Sequence, residues 1–234
     1  MPVYLLLDIG SILIPLIFSF HPRLRFDKQW SSYLPAILLS MFLYIIWDVW
    51  FTAEGVWGFN PDYLVGIDIL NLPIEEWLFF ICIPYACLFT HHCISVLAYK
   101  KVVPSQITAV IAWVLIVSWI IVAIVFNDRL YTVVNFLWAI PLVLFVVIKK
   151  RHILQRFFVT YLLIGLPFII VNGILTGALN PEPIVWYDNS ENLGIRFFMP
   201  IEDYTYAFTM LLFPLAIADS LRQHRIFDSK DKKQ

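Results

Sequence analysis

Two short motifs carry most of the chemistry this chain offers: Pro73-Ile74-Glu75-Glu76-Trp77 and Pro200-Ile201-Glu202-Asp203-Tyr204. Each places two carboxyl groups beside a proline, directly ahead of apolar sequence. Trp77-Leu78-Phe79-Phe80-Ile81 follows the first pair, and Tyr206 follows the second. Proline in a first helical turn is well tolerated, because its missing N–H has no partner to lose there. Acids at that end also complement the helix dipole. One such motif is accounted for by a helix start. Two of them on the same face of one molecule, each above aromatic rings, invite a chemical reading. Helical spacing sets Phe79 one turn below Glu75, Phe80 one turn below Glu76, and Tyr206 one turn below Glu202.

Magnitudes say what such carboxyls would do. The dipole favours ionisation by about 0.3–1 kcal/mol. Two carboxyl groups brought together away from water are governed by the larger cost of ionising both, so at least one keeps its proton. A protonated carboxyl in a dry, ring-lined pocket is a general acid, and its ionised neighbour can take a proton back. Aromatic faces favour a nearby cation. These parts suit protonation of a polyene end, attack of an internal double bond on the resulting cation, and loss of a ring proton. The sum is an isomerisation without redox change, and its cation needs a preorganised, water-poor site.

The elements that must hold these groups are membrane helices. Of the 234 residues 61% are hydrophobic and only 14% charged, with mean hydropathy +0.80, against roughly 25% charged in soluble domains. Seven apolar runs, at 3–20, 32–52, 73–97, 102–126, 131–148, 157–178 and 200–219, are each long enough for a hydrocarbon core of about 30 Å. The first lacks the basic lead-in of a cleaved signal. The expected fold class is all-α, a polytopic bundle of seven transmembrane helices.

Basic residues sort by side. Arg23, Arg25, Lys28, Lys100, Lys101, Lys149, Lys150, Arg151 and Arg156, with Arg222, Arg225, Lys230, Lys232 and Lys233 of the tail, fall on one face. Only Arg129 and Arg196 fall on the other. The positive-inside rule then sets the N-terminus outside and the C-terminus in the cytoplasm, in a cell inner membrane. Acids concentrate on the outer side. Glu54, Glu182 and Glu191 read there as solvated loop charges.

The chain repeats. Gly66-Ile67 precedes the first motif and Gly194-Ile195 the second; Asp48 and Thr52 close the second span, Asn172 and Thr176 the sixth. The offset stays at 124–128 residues. The expected organisation is a parallel three-plus-one-plus-three repeat: 1–98, a connector helix in 99–128, and 129–234. A parallel repeat puts a site between its halves.

Two outer loops, 53–72 and 179–199, complete the constellation. Trp57, Phe59, Asn60 and Tyr63 lie in the first. They suit an interfacial aromatic belt or a lid over the acids, with Trp186-Tyr187-Asp188-Asn189 as counterpart. Asp48 can reach the same cluster. The expected catalytic set is Glu75, Glu76, Glu202 and Asp203. The expected substrate-facing set is Asp48, Trp57, Phe59, Asn60, Tyr63, Trp77, Phe79, Phe80, Tyr204 and Tyr206.

Other chemistries find less support. His91 and His92 are adjacent, about 100° apart on a helix, a poor metal pair. Cys82, Cys87 and Cys93 lack metal spacing and read as buried thiols. The eight glycines form no dinucleotide or phosphate loop, and no lysine in the seventh span suits a Schiff base. No metal, cofactor or nucleic-acid partner is expected. Two alternatives remain: an intramembrane prenyltransferase, for which Asp62 with Asp68 and Asp188 with Glu191 are imperfect metal-binding candidates, and a small parallel-repeat transporter, disfavoured by uniformly apolar span centres.

Trp57-x-Phe59-Asn60-Pro61-x-Tyr63-x-x-Gly66, followed by Leu72-Pro73-Ile74-Glu75-Glu76-x-Leu78-Phe79-Phe80, resembles the heterodimeric-type lycopene cyclases, whose two related subunits are fused in some lineages. Pro200-Ile201-Glu202-Asp203 is similar to the second subunit's version, although that half lacks a Phe-Asn-Pro-x-Tyr element. The resemblance spans nearly the whole chain in fused form. It implies flavin-independent conversion of lycopene, taken from the bilayer, to γ-carotene and β-carotene. It implies Glu75, Glu76, Glu202 and Asp203 as the acid/base residues, in a membrane protein open to self-association or contact with other carotenoid enzymes.

Overall fold

The computed structural model describes residues 2–98, 100, 102–178 and 181–231, with side chains to 223. Lys101, Lys232 and Lys233 lie outside the described residues, as do the side chains of Arg225 and Lys230 and positions 179 and 180 of the second outer loop.

The apolar runs form seven helices: α1 Val3–Phe18, α2 Trp30–Glu54, α3 Ile74–Leu97, α4 Ser105–Val125, α5 Leu130–Lys149, α6 Arg151–Leu175 and α7 Glu202–Asp231. Six of them are long and apolar enough to cross a membrane; α1, at 16 residues, is shorter. α6 begins six residues earlier than the apolar run at 157, because Arg151 to Arg156 continue the helix despite their charge. All but α4 contain an internal proline: Pro15, Pro35, Pro84, Pro141, Pro167 and Pro214. A proline forfeits a helical hydrogen bond, which packing against neighbouring helices makes good.

α1 packs on α3, α2 on α3 and α7, α5 on α4 and α7, and α6 on α3, α4 and α5. Ala36, Ala112, Ala139 and Ala218 are almost wholly buried, which lets helix backbones approach closely where shape fit drives association. Apolar side chains also cover the outside, with Leu162 80% and Ile46 68% exposed. A water-soluble surface does not carry patches of that kind without a partner.

Three short antiparallel pairs occupy the loop end of the bundle. β1 (Trp57–Phe59) pairs with β4 (Val185–Tyr187), in the register Trp57 with Tyr187 and Phe59 with Val185. The two long loops are thus one ribbon. Gly58 sits where a Cβ would lie 2.2 Å from the Trp186 ring, so only glycine fits that crossing with the ring in place. β2 (Asp68–Ile69) folds onto β3 (Leu72–Pro73) before α3, and β5 (Arg196–Phe197) onto β6 (Met199–Pro200) before α7. Leu70 and Phe198, the turn residues of these hairpins, both take left-handed backbone, φ 60° and 65°.

Pro73 and Pro200 therefore end strands rather than open helices. Ile74 and Glu202 are the first helical residues. The hairpin registers Asp68 opposite Pro73 and Arg196 opposite Pro200 hold both prolines in extended backbone.

Candidate active site

The two members of each acid pair point to different places. Glu75 Oε1 accepts the Val65 backbone N–H at 2.6 Å, and Glu202 Oε1 accepts that of Leu193 at 2.8 Å. Thr132 donates to the same Glu202 oxygen at 2.6 Å. Both carboxyls are fully buried and tie down the loop that precedes their helix. They do not line the cavity described next.

Glu76 and Asp203 do. They face a buried cavity of about 50 Å³ beneath the β1–β4 ribbon, together with Asp48, Tyr4, Tyr131, Tyr187 and Tyr206. Trp57, Phe59, Phe79, Phe168 and Met210 supply apolar wall. The ring beneath Glu76 is thus Phe79, and the one beneath Asp203 is Tyr206, each three residues on. Positions i and i+3 share a helix face as well as i and i+4. Phe80 turns the other way, its ring tilted against that of Tyr44 with centroids 6.0 Å apart in the core.

The two cavity acids have matched surroundings. Tyr4 donates to Glu76 at 2.5 Å and Tyr131 to Asp203 at 2.7 Å. The helix-two position beside each differs. Asp48 stands within hydrogen-bonding reach of Glu76, whereas Asn172 donates its amide to Asp203 at 2.9 Å. Trp57 Nε1 donates to Asp48 Oδ1 at 2.5 Å, and Asp48 Oδ2 has no other hydrogen-bond donor beside it. Two carboxyl groups can hydrogen-bond only with a proton between them. Asp203 instead accepts from three neutral groups, the third being the Tyr187 hydroxyl at 3.1 Å. Desolvation, and after it the Asp203 charge, push the Tyr187 phenol well above its ordinary range, so it stays a donor.

The remaining expected residues are spread around this cavity. Asn60 caps a short turn, its side chain accepting the Asp62 N–H. Tyr63 packs at the edge of the aromatic core. Trp77 donates to the Ile69 carbonyl and Tyr204 to that of Phe197, so both serve the hairpins. None of these four borders the cavity. Glu191 departs from its solvated-loop reading: its carboxylate and carbonyl cap the start of α5 through the N–H groups of Leu130 and Tyr131. His91 turns to Thr160 and His92 to the Leu24 carbonyl. Among the described residues no group of three or more His, Cys, Asp or Glu side chains is placed to hold a metal ion.

Tyr4, Tyr131, Phe168 and Asn172 join the site without having been singled out for it, and Tyr187 comes to it from the segment read as a lid counterpart. A signal for two of them was present: Tyr4 and Asp8 recur as Tyr131 and Asn135 at the same 127-residue offset as the acid pairs. Asp8 is itself buried beside Glu75 and Glu76, with no hydrogen-bond partner on either oxygen.

Comparison with known proteins points to one family. A family model described as lycopene cyclase matches residues 1–94 and 128–221. A bifunctional lycopene cyclase/phytoene synthase of Aspergillus niger is 34% identical over 59 residues, 23% of this chain and 10% of that protein. The aligned part is thus a small fraction of the relative's length. No solved structure matches. With the family model covering most of its length, this chain belongs to the lycopene cyclase family.

Proposed function

We propose that this protein cyclises the linear ends of lycopene, or a closely related acyclic carotenoid, to β-ionone rings by acid/base isomerisation, giving γ-carotene and then β-carotene. The single observation that carries the mechanism is a buried, ring-lined cavity with a carboxyl pair on one wall and a separately hydrogen-bonded carboxyl group on the other. The Asp48–Glu76 pair holds the proton. Transfer to a terminal double bond forms a C–H bond and leaves a tertiary cation. The next suitably placed double bond attacks that cation and closes the ring. A ring proton then leaves to Asp203, which three neutral donors keep ready as an acceptor. Proton gained and proton lost balance, so the overall step needs no redox partner.

The aromatic walls and the two carboxyl sites stabilise the cation as it forms, in a place where water is excluded by the β1–β4 ribbon. In this reading Glu76 and Asp203 are the catalytic residues and Asp48 completes the donor. Trp57, Phe59, Phe79 and Tyr206 face the substrate. Glu75 and Glu202 hold the loops that roof the cavity.

The proposed architecture is a parallel repeat, α1–α3 against α5–α7, joined by α4. Its support is the matched pair of hydrogen bonds from Tyr4 to Glu76 and from Tyr131 to Asp203, the two left-handed hairpin turns, and two matched segments that start 127 residues apart. The lysine and arginine distribution supports an inner-membrane location with the cavity toward the outer side and the C-terminus in the cytoplasm. Self-association is part of the same proposal.

The test is expression of the full chain in a bacterium that accumulates lycopene. Cyclic pigment is expected from the wild type. Its absence, with the protein present in the membrane, would remove the assignment.

A further inference from the structure

A second cavity, about 200 Å³, adjoins the acid site and has no part in the chemistry above. It lies between α1, α3 and α6. α1 and α6 both pack on α3, so α3 forms its floor and the other two its sides. Phe79, Phe168 and Asn172 border both cavities. From Phe79 to Thr90 the floor runs eleven residues along α3, about 16 Å at 1.5 Å per residue.

Its lining carries no charged side chain. Ser11 and Ala86 are small, and the Thr90 hydroxyl is already spent on the Ala86 carbonyl at 2.9 Å. Apart from the Ser11 hydroxyl, the polar groups of the lining, Thr90 and Asn172, are already hydrogen-bonded within the protein. The space is long, narrow and apolar, and its acid-site end carries three buried carboxyl groups, Asp48, Glu76 and Asp203.

We infer that this groove holds the methyl-bearing hydrocarbon polyene stem of the substrate while one end group occupies the acid cavity. The inference rests on the proposed cyclisation and adds where the rest of the molecule goes. A phospholipid tail would fit the apolar walls equally well. Its phosphate would then have to sit beside buried carboxyls of the same charge, which are costly neighbours in a dry site. An all-hydrocarbon chain with a reactive end has no such conflict. One stem groove serves one end group at a time, so a two-ended substrate must leave, turn round and bind again for its second ring.

The groove can be tested apart from the chemistry. The full chain carrying Glu76→Gln, which should hold substrate without converting it, is produced with lycopene and solubilised in mild detergent. Lycopene bound per protein is measured after gel filtration, along with the circular dichroism that an achiral polyene acquires in a protein groove. We expect near-stoichiometric pigment in this parent. We expect at least a tenfold loss on adding Ala86→Phe or Ile164→Trp, which block the groove from different helices. Val114→Phe, on the exposed face of α4, should bind as the parent does.

Ala86→Leu replaces the phenylalanine variant should that one fail to accumulate. Folded groove variants that keep parental pigment and dichroism would overturn the inference, as would equal pigment in every variant, the mark of partition into micelles. Cyclic pigment in the wild type reports separately on the proposed reaction. A chain that binds lycopene through this groove yet never cyclises it would leave the groove standing and remove the chemistry.

Discussion

Asp48 and Glu76, delivered by neighbouring helices, present carboxyl to carboxyl on one wall of the cavity, and both are buried. Across that cavity the corresponding partner of Asp203 is an amide, Asn172. One acid–acid pair and one acid–amide pair make two chemically different walls. In the proposed reaction the first wall supplies the proton and the second accepts one, which sets its direction.

That asymmetry predicts separable losses. Glu76→Gln and Asp203→Asn each keep the shape and should lower cyclisation by a hundredfold or more, the usual worth of a positioned acid or base. Asp48→Asn should lower it also, since it removes the second carboxyl of the proton-holding pair. Pigment ratios from matched membrane amounts measure all three. Unchanged conversion by Asp203→Asn would take the acceptor role from that residue.

Tyr4→Phe and Tyr131→Phe remove one hydrogen bond each from a carboxyl group. A bond to a charged group is worth about 1.5–3 kcal/mol, equivalent to roughly ten- to hundredfold in rate. Both variants should retain the fold, since the rings stay in place among their aromatic neighbours. Initial rates of pigment formation in isolated membranes provide the check.

Glu75 and Glu202 should behave unlike Glu76 and Asp203. Their Oε1 atoms receive loop N–H groups, and glutamine keeps an oxygen for that purpose. Glu75→Gln and Glu202→Gln are expected to stay within a few-fold of wild-type turnover. Glu75→Ala removes the acceptor of the half-exposed Val65 N–H, a loss of about 0.5–1.5 kcal/mol, and should lower the yield of folded protein in proportion to the lost activity. A turnover defect in Glu75→Gln with full yield would return that residue to the chemistry.

Trp57→Phe takes the only donor from Asp48 Oδ1 while leaving a ring against Phe51 and Tyr131. It should weaken the reaction by about tenfold to a hundredfold. Gly58→Ala, next to it, forces the Trp186 ring away from the ribbon. Limited proteolysis of the 179–199 loop should then speed up, with conversion reduced as the roof loosens.

The sequence by itself determined the helices, the acid-bearing segments and the repeat offset. Apolar length and charge placement are one-dimensional properties, and 127-residue spacing needs no coordinates to be seen. The tertiary structure alone decided which member of each acid pair faces the cavity. Glu75 and Glu202 turn toward loop backbone, and Glu76 and Asp203, one position on, turn inward. One residue along a helix is a rotation of about 100°, finer than any pattern of hydropathy resolves. Tyr4, Tyr131 and Tyr187 likewise meet Glu76 and Asp203 only in space; the recurrence of Tyr4 as Tyr131 marks the pair in the sequence but not the carboxyl groups they serve.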